Sequence, residues 1–258
     1  MFKLKEFRIS KNNIIQKERI TKLCLKNNFL IINYNNRNIN KINSQKIFFE
    51  MGDVSFDENF LKKVRDNKVI LSTNNEINKE NIFSVPIGVT NTSHCKIIGN
   101  LDVIVEQFNK EKNYNKKLVY MNFNNHPGCN WYRAGKERKL LCENFKNKNF
   151  VNVGKFVRTH DGHKKFIEEI YNHKFVLCPW GNGFDTHRLW MTLYLGSIPI
   201  VRNHTVYEQF KHLPILFIDN WEQLNEEFLN KKFEEIHSKM YNFDVLCMDY
   251  WEKFIKTL

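Results

Sequence analysis

One loop of the sequence combines the residue types that bind anions. It follows an apolar run ending at Cys178, reads Pro-Trp-Gly-Asn-Gly-Phe-Asp, and leads into an apolar segment with helical spacing. Gly181 and Gly183 are expected to adopt backbone angles closed to other residues and to let a ligand approach the chain closely. Asp185 is a predicted N-cap, and the helix after it would direct free amides and its positive dipole end at an anion. Arg188 adds a fixed charge and a planar set of donors, so the junction predicts a phosphate site.

A glycine turn closed by an Asp185–Arg188 capping pair, with no ligand, is the alternative interpretation of this loop. The position of the loop in the fold bears on the choice between them, because ligands of open α/β sheets bind beyond the carboxyl ends of the strands.

The second half of the chain alternates short apolar runs with helix-like segments, which indicates βαβ units and a parallel sheet. The predicted strands are Lys117 to Phe123, Phe150 to Gly154, Lys174 to Cys178, Ile198 to Val201 and Ile215 to Ile218. The predicted helices are Trp131 to Lys146, His163 to Asn172, Asp185 to Leu195, a short one from Val206 to Lys211, and Trp221 to Asn230. Five such strands make one Rossmann-like domain, and the anion-binding loop follows the third of them.

The first half is less regular but of the same kind. Its predicted strands are Asn28 to Tyr34, Lys46 to Glu50, Lys68 to Ser72, and Ser84 to Asn91 running into a turn. Its predicted helices are Ile14 to Lys26 and Asp57 to Arg65, the second with Ser55 or Asp57 as N-cap. Asn109 to Lys117 is predicted to be a linker or a helix end before the second domain. Phe243 to Leu258 has the pattern of a terminal amphipathic helix.

The stretch from Lys174 to Val201 resembles the donor-site motif of exostosin-like glycosyltransferases, a group with the GT-B fold. In that motif a strand and a glycine loop lead into a helix bearing Arg, and a Gly then precedes a strand of the type Ile-Pro-Ile-Val. "LPILFIDNWEQL" (Leu213 to Leu224) and "YMNFNNHPGCNWYRAGKERKLL" (Tyr120 to Leu141) extend the resemblance. It implies two Rossmann-like domains that face a cleft, with a C-terminal helix crossing back to the first. The expected divisions are an acceptor-side domain over 1–113, a donor-binding domain over 114–241 and the terminal helix over 242–258.

The resemblance also implies an activity and a set of site residues. The expected function is transfer of a hexose or pentose from a nucleoside diphosphate donor to a hydroxyl of a glycan or a protein glycan, without a metal or other cofactor. The expected contacts to the donor diphosphate are Gly181, Asn182, Gly183, Asp185, Thr186 and Arg188, with Arg133, Arg138 and Arg158 as further cations. For Arg133 and Arg138 a solvated basic helix face is the open alternative.

One position departs from the pattern. Met191 stands where the family has a Glu, and an acidic residue there commonly holds the ribose hydroxyls of the nucleotide. A thioether cannot accept those hydrogen bonds in the way a carboxylate does. Either another residue holds the ribose, or the donor differs, or the protein binds a nucleotide sugar without transferring it.

An inverting transferase needs a base for the acceptor hydroxyl. The strand-end candidates in the first half are Glu50, Asp53 and His94. A cap, a turn or a surface charge is the alternative role of each. A retaining mechanism would not need this base, and the sequence leaves the stereochemistry open.

Composition restricts the remaining classes. The 258 residues carry 40 Lys and Arg against 28 Asp and Glu, a net charge of +12, and include 22 Phe. The charge favours anionic partners, including peripheral association with an anionic membrane surface. Nucleic acid is not expected as a partner, because no known nucleic-acid-binding motif is present and the Phe residues lie in apolar runs. A nucleotide-sugar epimerase or an inactive nucleotide-sugar-binding protein is the nearer alternative.

Targeting and metal signals are weak. The N-terminus has no uninterrupted apolar region and no run is long enough for a membrane span, so a cytoplasmic location is expected. The six cysteines are far apart, which predicts free thiols. His160, Asp161 and His163 are predicted in one loop, where two His without a clear third ligand make a poor metal site.

Overall fold

A computed structural model describes residues 10–33, 44–52, 54–64, 68–90, 100–110, 116–123, 134–155, 157 and 159–258. It confirms the α/β class, because two parallel sheets are flanked by helices. None of the helices within these ranges combines the length and the apolarity that a membrane crossing requires.

The first sheet has four parallel strands in chain order. They are β1 (Leu30–Asn33), β2 (Lys46–Glu50), β3 (Val69–Ser72) and β4 (Ile82–Ser84). Helix α1 (Lys17–Lys26) precedes the sheet, α2 (Glu58–Leu61) joins β2 to β3, and α3 (Leu101–Phe108) follows β4. Asp57 caps α2 by accepting from the amides of Asn59 and Phe60, so of the two proposed caps Asp57 is the one used.

Three predictions for this half need correction. Helix α1 begins at Lys17 rather than Ile14, because Ile14 forms an antiparallel bridge with Cys247 and Gln16 forms one with Gly88. The last strand ends at Ser84 and is followed by an extended segment instead of beginning there. Helix α3 has Asn109 as its C-cap, as one of the two alternatives for that segment predicts, but the body of the helix was not predicted. Its buried residues Leu101 and Ile104 join the apolar core of the second sheet.

The second sheet has five parallel strands in the order β6-β5-β7-β8-β9. They are β5 (Lys117–Met121), β6 (Val151–Val153), β7 (His173–Leu177), β8 (Ile198–Arg202) and β9 (Leu216–Ile218). Its α-helices are α4 (Ala134–Phe145), α5 (His160–Tyr171), α6 (His187–Tyr194) and α7 (Glu226–His237), with 3-10 turns at Thr205–Phe210 and Trp221–Gln223. Chain order runs outward in both directions from β5, so the gap between β5 and β7 is the topological switch point where such sheets bind ligands.

The chain ends on the first sheet. A 3-10 turn (Asp244–Leu246) leads into α8 (Met248–Thr257), which packs against α1. Trp251 and Ile255 of α8 are buried with Ile20 of α1 and Phe48 of β2. The continuous terminal helix predicted from Phe243 is therefore interrupted at Cys247, where the bridge to Ile14 forms.

Direct hydrogen bonds join the two halves. Gln209 accepts from the amide of Ser84 at 2.8 Å and donates to the carbonyl of Ile82 at 2.9 Å. The buried hydroxyl of Tyr194 accepts from the amide of Ile15 and donates to the carbonyl of Leu246. The Gln209 bonds hold β4 against the 3-10 turn that follows β8, and the candidate site lies at the carboxyl ends of strands in the second sheet.

Candidate functional site

A cavity of about 260 Å³ lies between the two halves, beyond the carboxyl ends of β5, β6 and β7. The first half contributes Ile87 and Thr90. The second half contributes Asn122, Arg138, Lys155, Val157, Gly162, His163, Phe166, Gly181, Asn182, Gly183, Asp185, Thr186, His187, Arg188 and Met191. The cavity therefore occupies the switch point of the second sheet, and the loop predicted to bind an anion forms one of its walls.

The loop is held by its contact with the first half. The amide of Asp185 donates to Asn74 Oδ1 at 2.8 Å, and Asn74 Nδ2 donates to the carbonyl of Gly52 at 2.6 Å. A side chain at position 183 would place its Cβ 3.0 Å from the Asn74 amide and 3.2 Å from the Gly52 oxygen. Glycine is needed there for close approach of the two halves.

One of the two predicted reasons for these glycines, the special backbone angles, is wrong. Among the glycines that the structure describes, those with positive φ are Gly52, Gly88 and Gly196, so neither Gly181 nor Gly183 uses the left-handed region. A Cβ at Gly181 would meet Arg138 Nη2 at 3.5 Å, an ordinary contact distance. What Gly181 contributes is a backbone that comes close to a guanidinium.

Asp185 is not the N-cap of the following helix, contrary to the prediction. Helix α6 begins at His187 with Thr186 as its cap residue, and the Asp185 carboxylate turns toward the first half. Its Oδ2 accepts from the amide of Ile87 at 2.8 Å and its Oδ1 accepts from Trp190 Nε1 at 2.6 Å. Burial raises the pKa of this carboxyl to about 7 in spite of the donors around it. Asp185 therefore fixes the loop, and the Asp185–Arg188 capping pair of the alternative interpretation does not form.

The first turn of α6 faces the cavity. Nδ1 of His187 donates to the carbonyl of Gly88 at 2.7 Å, which ties this turn to the first half. The side chain of Thr186 makes no capping hydrogen bond, and the amide of Leu189 donates to the carbonyl of Thr186 at 3.1 Å. The positive end of the helix dipole lies beside the cavity, where the sequence predicts an anion.

Two guanidinium groups converge on the cavity. The central carbons of Arg188 and Arg138 lie 5.7 Å and 5.8 Å from the centroid of the same Phe123 ring. Arg138 Nε donates to the carbonyl of Trp180 at 2.9 Å, which fixes it beside the loop. Burial, and then repulsion by Arg138, lower the pKa of Arg188 to about 10. No carboxylate forms an ion pair with Arg188 among the described residues, and its guanidinium lies over the rings of Phe123 and Phe166.

Helix α5 supplies another wall. Its first turn includes His160, Asp161 and His163, which the sequence interpretation placed in a loop, and Thr159 caps it through the amide of Gly162. His163 is 4% exposed, and burial lowers the pKa of its imidazole to about 4. No group of three or more His, Cys, Asp or Glu side chains suited to a metal ion occurs within the described ranges.

Four lining residues each carry a buried polar atom that has no hydrogen-bond partner in the described part of the chain. These atoms are Asn122 Oδ1, His163 Nε2, Thr186 Oγ1 and Arg188 Nε. Buried polar groups are nearly always paired, so four orphans around one cavity point to a polar ligand.

The other predicted residues have different positions. Asn182 is exposed at the cavity rim, and Met191 lines the cavity as the resemblance implies for its position. Glu50 pairs with Lys17 at 2.9 Å and is not part of the lining. Asp53, His94, Arg133 and Arg158 lie outside the described residues.

Sequence reasoning missed Asn122, Lys155 and Phe166 as lining residues. A signal was present for the first two, because Asn122 directly follows β5 and Lys155 follows β6 by two residues. Polar residues at those strand ends are where a switch-point ligand would be contacted. Phe166 gives no such signal, since its spacing in α5 is that of an ordinary core residue.

A second cavity, of about 370 Å³, lies on the other face of the loop. Asp57 and Glu76 of the first half line it opposite Trp180, and the two cavities share Gly181, Asn182 and Gly183. The loop therefore separates a cationic cavity from one that bears carboxylates.

No model of a known protein family matches the chain, and no curated protein resembles it at a significant level.

Proposed function

We propose that the chain is a glycosyltransferase that binds the diphosphate of a nucleotide-sugar donor in the cationic cavity. The observation that carries this proposal is the convergence of Arg188 and Arg138 at a helix N-terminus, with orphaned polar atoms around them. A partly buried guanidinium without a carboxylate partner is costly, and a bound phosphate would offset that cost.

The same groups suit the chemistry of glycosyl transfer. Negative charge builds on the departing diphosphate as the anomeric bond breaks, and fixed donors that face this charge lower the barrier. Arg188, beside the N-terminal end of α6, supplies such donors. The resemblance of Lys174 to Val201 to an exostosin-like donor motif supports the choice of a nucleotide sugar over other phosphorylated molecules.

In this proposal the two parallel sheets are the two domains of a GT-B fold, and the acceptor approaches along the second cavity. The packing of α8 on the first sheet agrees with that arrangement. An acceptor hydroxyl there would be separated from the donor phosphates only by the shared loop.

A second function remains open because of Met191. Its thioether lines the cavity, and the one carboxylate in the described lining, Asp185, is engaged by Ile87 and Trp190. A protein that binds a nucleotide sugar without transferring it would keep the arginines and lose the acidic residue. The transfer assay below separates the two.

Binding of uridine, guanosine and adenosine diphosphate by isothermal titration calorimetry tests the site. At least one should bind, and Arg188→Ala should weaken it by about 100-fold because charge-assisted hydrogen bonds are lost. Lys139→Ala is the matched control, since Lys139 is the exposed neighbour of Arg138 on α4 and its ammonium lies 3.9 Å from Glu143. Equal affinity in Arg188→Ala and wild type would move the phosphate site elsewhere.

Release of nucleoside diphosphate from a panel of nucleotide sugars then tests activity. Turnover that depends on an added glycan acceptor supports the transferase. Tight donor binding without turnover for any sugar favours the binding protein.

A further inference from the structure

The four unpartnered polar atoms around the cavity differ in whether they can donate a hydrogen bond to a ligand or accept one from it. Arg188 Nε can only donate a hydrogen bond, and Asn122 Oδ1 can only accept one. His163 Nε2 and Thr186 Oγ1 can donate or accept, so they do not restrict which hydrogen-bonding groups the ligand carries. A ligand that satisfies both of the first two atoms must carry an acceptor and a donor.

The amide of Asn122 is held in one orientation. Its Nδ2 donates to the hydroxyl of Tyr120 at 2.7 Å and to the carbonyl of Lys155 at 3.4 Å. Asn122 is 3% exposed and lines the cavity, so Oδ1 is the amide atom left to contact a ligand. An amide turned the other way would direct its oxygen at the Lys155 carbonyl, which is repulsive.

Gly154 makes room for this orientation. A Cβ at that position would overlap the Tyr120 hydroxyl and lie 2.8 Å from Asn122 Nδ2. Position 154 also follows β6, and its amide donates to the carbonyl of Met121 at 2.8 Å. The ends of β5 and β6 thus build one fixed acceptor inside a cavity whose charged groups are donors.

We infer that Asn122 Oδ1 accepts a hydrogen bond from an alcohol hydroxyl of the bound nucleotide sugar, and so selects it over a bare diphosphate. This inference rests on the proposed function. The diphosphate oxygens satisfy Arg188, but they offer no hydrogen to Asn122, so a second part of the same molecule must do so. The acceptor missing at Met191 on α6 is then replaced by one at the end of β5.

Two hydroxyl sources fit this chemistry: the ribose and the transferred sugar. Affinities of wild type and Asn122→Ala are measured by calorimetry for pyrophosphate, for the best-bound nucleoside diphosphate, for its 2′-deoxy and 3′-deoxy forms, and for the corresponding nucleotide sugars. An alkaline buffer keeps pyrophosphate free of a proton that it could donate.

We expect Asn122→Ala to weaken the binding of the hydroxylated molecule by about 10-fold, since one hydrogen bond is lost, and to leave the affinity for pyrophosphate unchanged. If the hydroxyl is on the ribose, one deoxy form should lose the same factor in wild type and nothing further in Asn122→Ala. If it is on the sugar, the advantage of the nucleotide sugar over its diphosphate should disappear in the variant. Gly154→Ala keeps Asn122 but displaces its amide, and should give the same selective loss.

The comparison on the wild-type protein alone keeps the test valid should a variant fold poorly. An equal loss for pyrophosphate and nucleotides in Asn122→Ala, or no effect of any hydroxyl in wild type, overturns the inference. If Arg188→Ala weakens every molecule while Asn122→Ala weakens none, only the role of Asn122 fails. If Arg188→Ala weakens none, the proposed function fails with it.

Discussion

Buried polar side chains at the carboxyl ends of the two sheets differ in whether they have hydrogen-bond partners. At the end of the first sheet these side chains bond to the neighbouring backbone and to each other. The Ser72 hydroxyl donates to the carbonyl of Thr73, the Thr73 hydroxyl accepts from the amide of Met51, and Asn75 donates to the Ser84 hydroxyl. At the end of the second sheet four polar atoms around the cavity have no partner in the described part of the chain.

We interpret this difference as a division of roles, in which one sheet end supports the loop and the other is proposed to bind a ligand. A satisfied polar network is rigid and has no need of a ligand, whereas orphaned groups in a cavity gain free energy when a polar ligand arrives. The first sheet fixes where the loop lies, and the second sheet presents the groups that we propose bind the ligand. Asn74 connects the two roles, because its amide bonds both Gly52 and the amide of Asp185.

The largest expected effect is on the supporting side. Asn74→Ala removes two hydrogen bonds and leaves Ala at a φ of 49°, a left-handed conformation that Asn tolerates better. We expect the free energy of unfolding to fall by about 3 kcal/mol, the sum of two lost bonds and the backbone strain. Urea unfolding followed by circular dichroism measures it.

Asn74→Gly is the matched variant, since it loses the same bonds without the strain. It should be destabilised less than Asn74→Ala, by about 1 kcal/mol. An unchanged midpoint in both variants would show that the loop is held without this amide, and the division between supporting and binding edges would not stand.

The next largest expected effect is on the free energy of unfolding when Arg202 or Arg188 is replaced, and the two replacements should change it in opposite directions. Arg202 lies 3.4 Å from the buried carboxylate of Glu137 and over the ring of Trp180 at 5.0 Å. Among the described residues no carboxylate pairs with Arg188, which faces aromatic rings and is repelled by Arg138. Arg202→Leu should lower the free energy of unfolding by about 2 kcal/mol, because Glu137 loses a partner, with allowance for the partial exposure of the pair. Arg188→Leu should raise it by about 1 kcal/mol, because a poorly compensated charge is removed.

Thermal and urea unfolding of the two leucine variants in phosphate-free buffer check this pair. If Arg188 serves ligand binding and not the fold, Arg188→Leu should be more stable than wild type and should no longer bind the nucleotide. Destabilisation of Arg188→Leu to the same extent as Arg202→Leu would mean that Arg188 is a structural residue.

The sequence carries local information about the site well. The alternation of apolar runs predicts both parallel sheets, Asp57 is recognisable as a cap, and the loop before Arg188 is recognisable as a glycine-containing junction between a strand end and a helix. Each of these depends on residues a few positions apart. The helix at Leu101–Phe108 was missed, although Leu101, Val103 and Ile104 have apolar spacing compatible with a short helix.

The long-range contacts could not be derived in the same way. Asp185 has the type and spacing of an N-cap, and its real partner at Ile87 is 98 positions away. Gly183 looks like a turn residue, but a side chain there would crowd the amide of Asn74. Asn74 accepts a hydrogen bond from the backbone amide of Asp185, which is 111 positions further along the chain. The orientation of Asn122 depends on Tyr120 and Lys155 together, which follows from strand pairing and not from sequence spacing.

The smallest expected effect is a change in the pKa of one histidine on the binding side. Burial lowers the pKa of His163 from 6.5 to about 4, so in the free protein the imidazole is neutral at physiological pH. Because the folded pKa lies below the unfolded one, the free energy of unfolding falls as the pH drops from about 6.5 towards 4. An anion in the cavity favours the protonated ring, so pyrophosphate should raise this pKa by about one unit and reduce that loss.

His173 is the internal control for this titration. It is also buried with a lowered pKa, but it lies at the first residue of β7, at the opposite end of the strand from the cavity, and its Nδ1 contacts the carbonyl of Glu169 at 2.6 Å. NMR titration of both rings, with and without pyrophosphate, should move His163 and leave His173 in place. Equal shifts would indicate a general change in the fold, and an ordinary pKa for His163 in the free protein would mean that its ring reaches solvent. Either result would remove His163 from the binding edge, whereas a shift confined to His163 would locate the anion beside α5 independently of any arginine substitution.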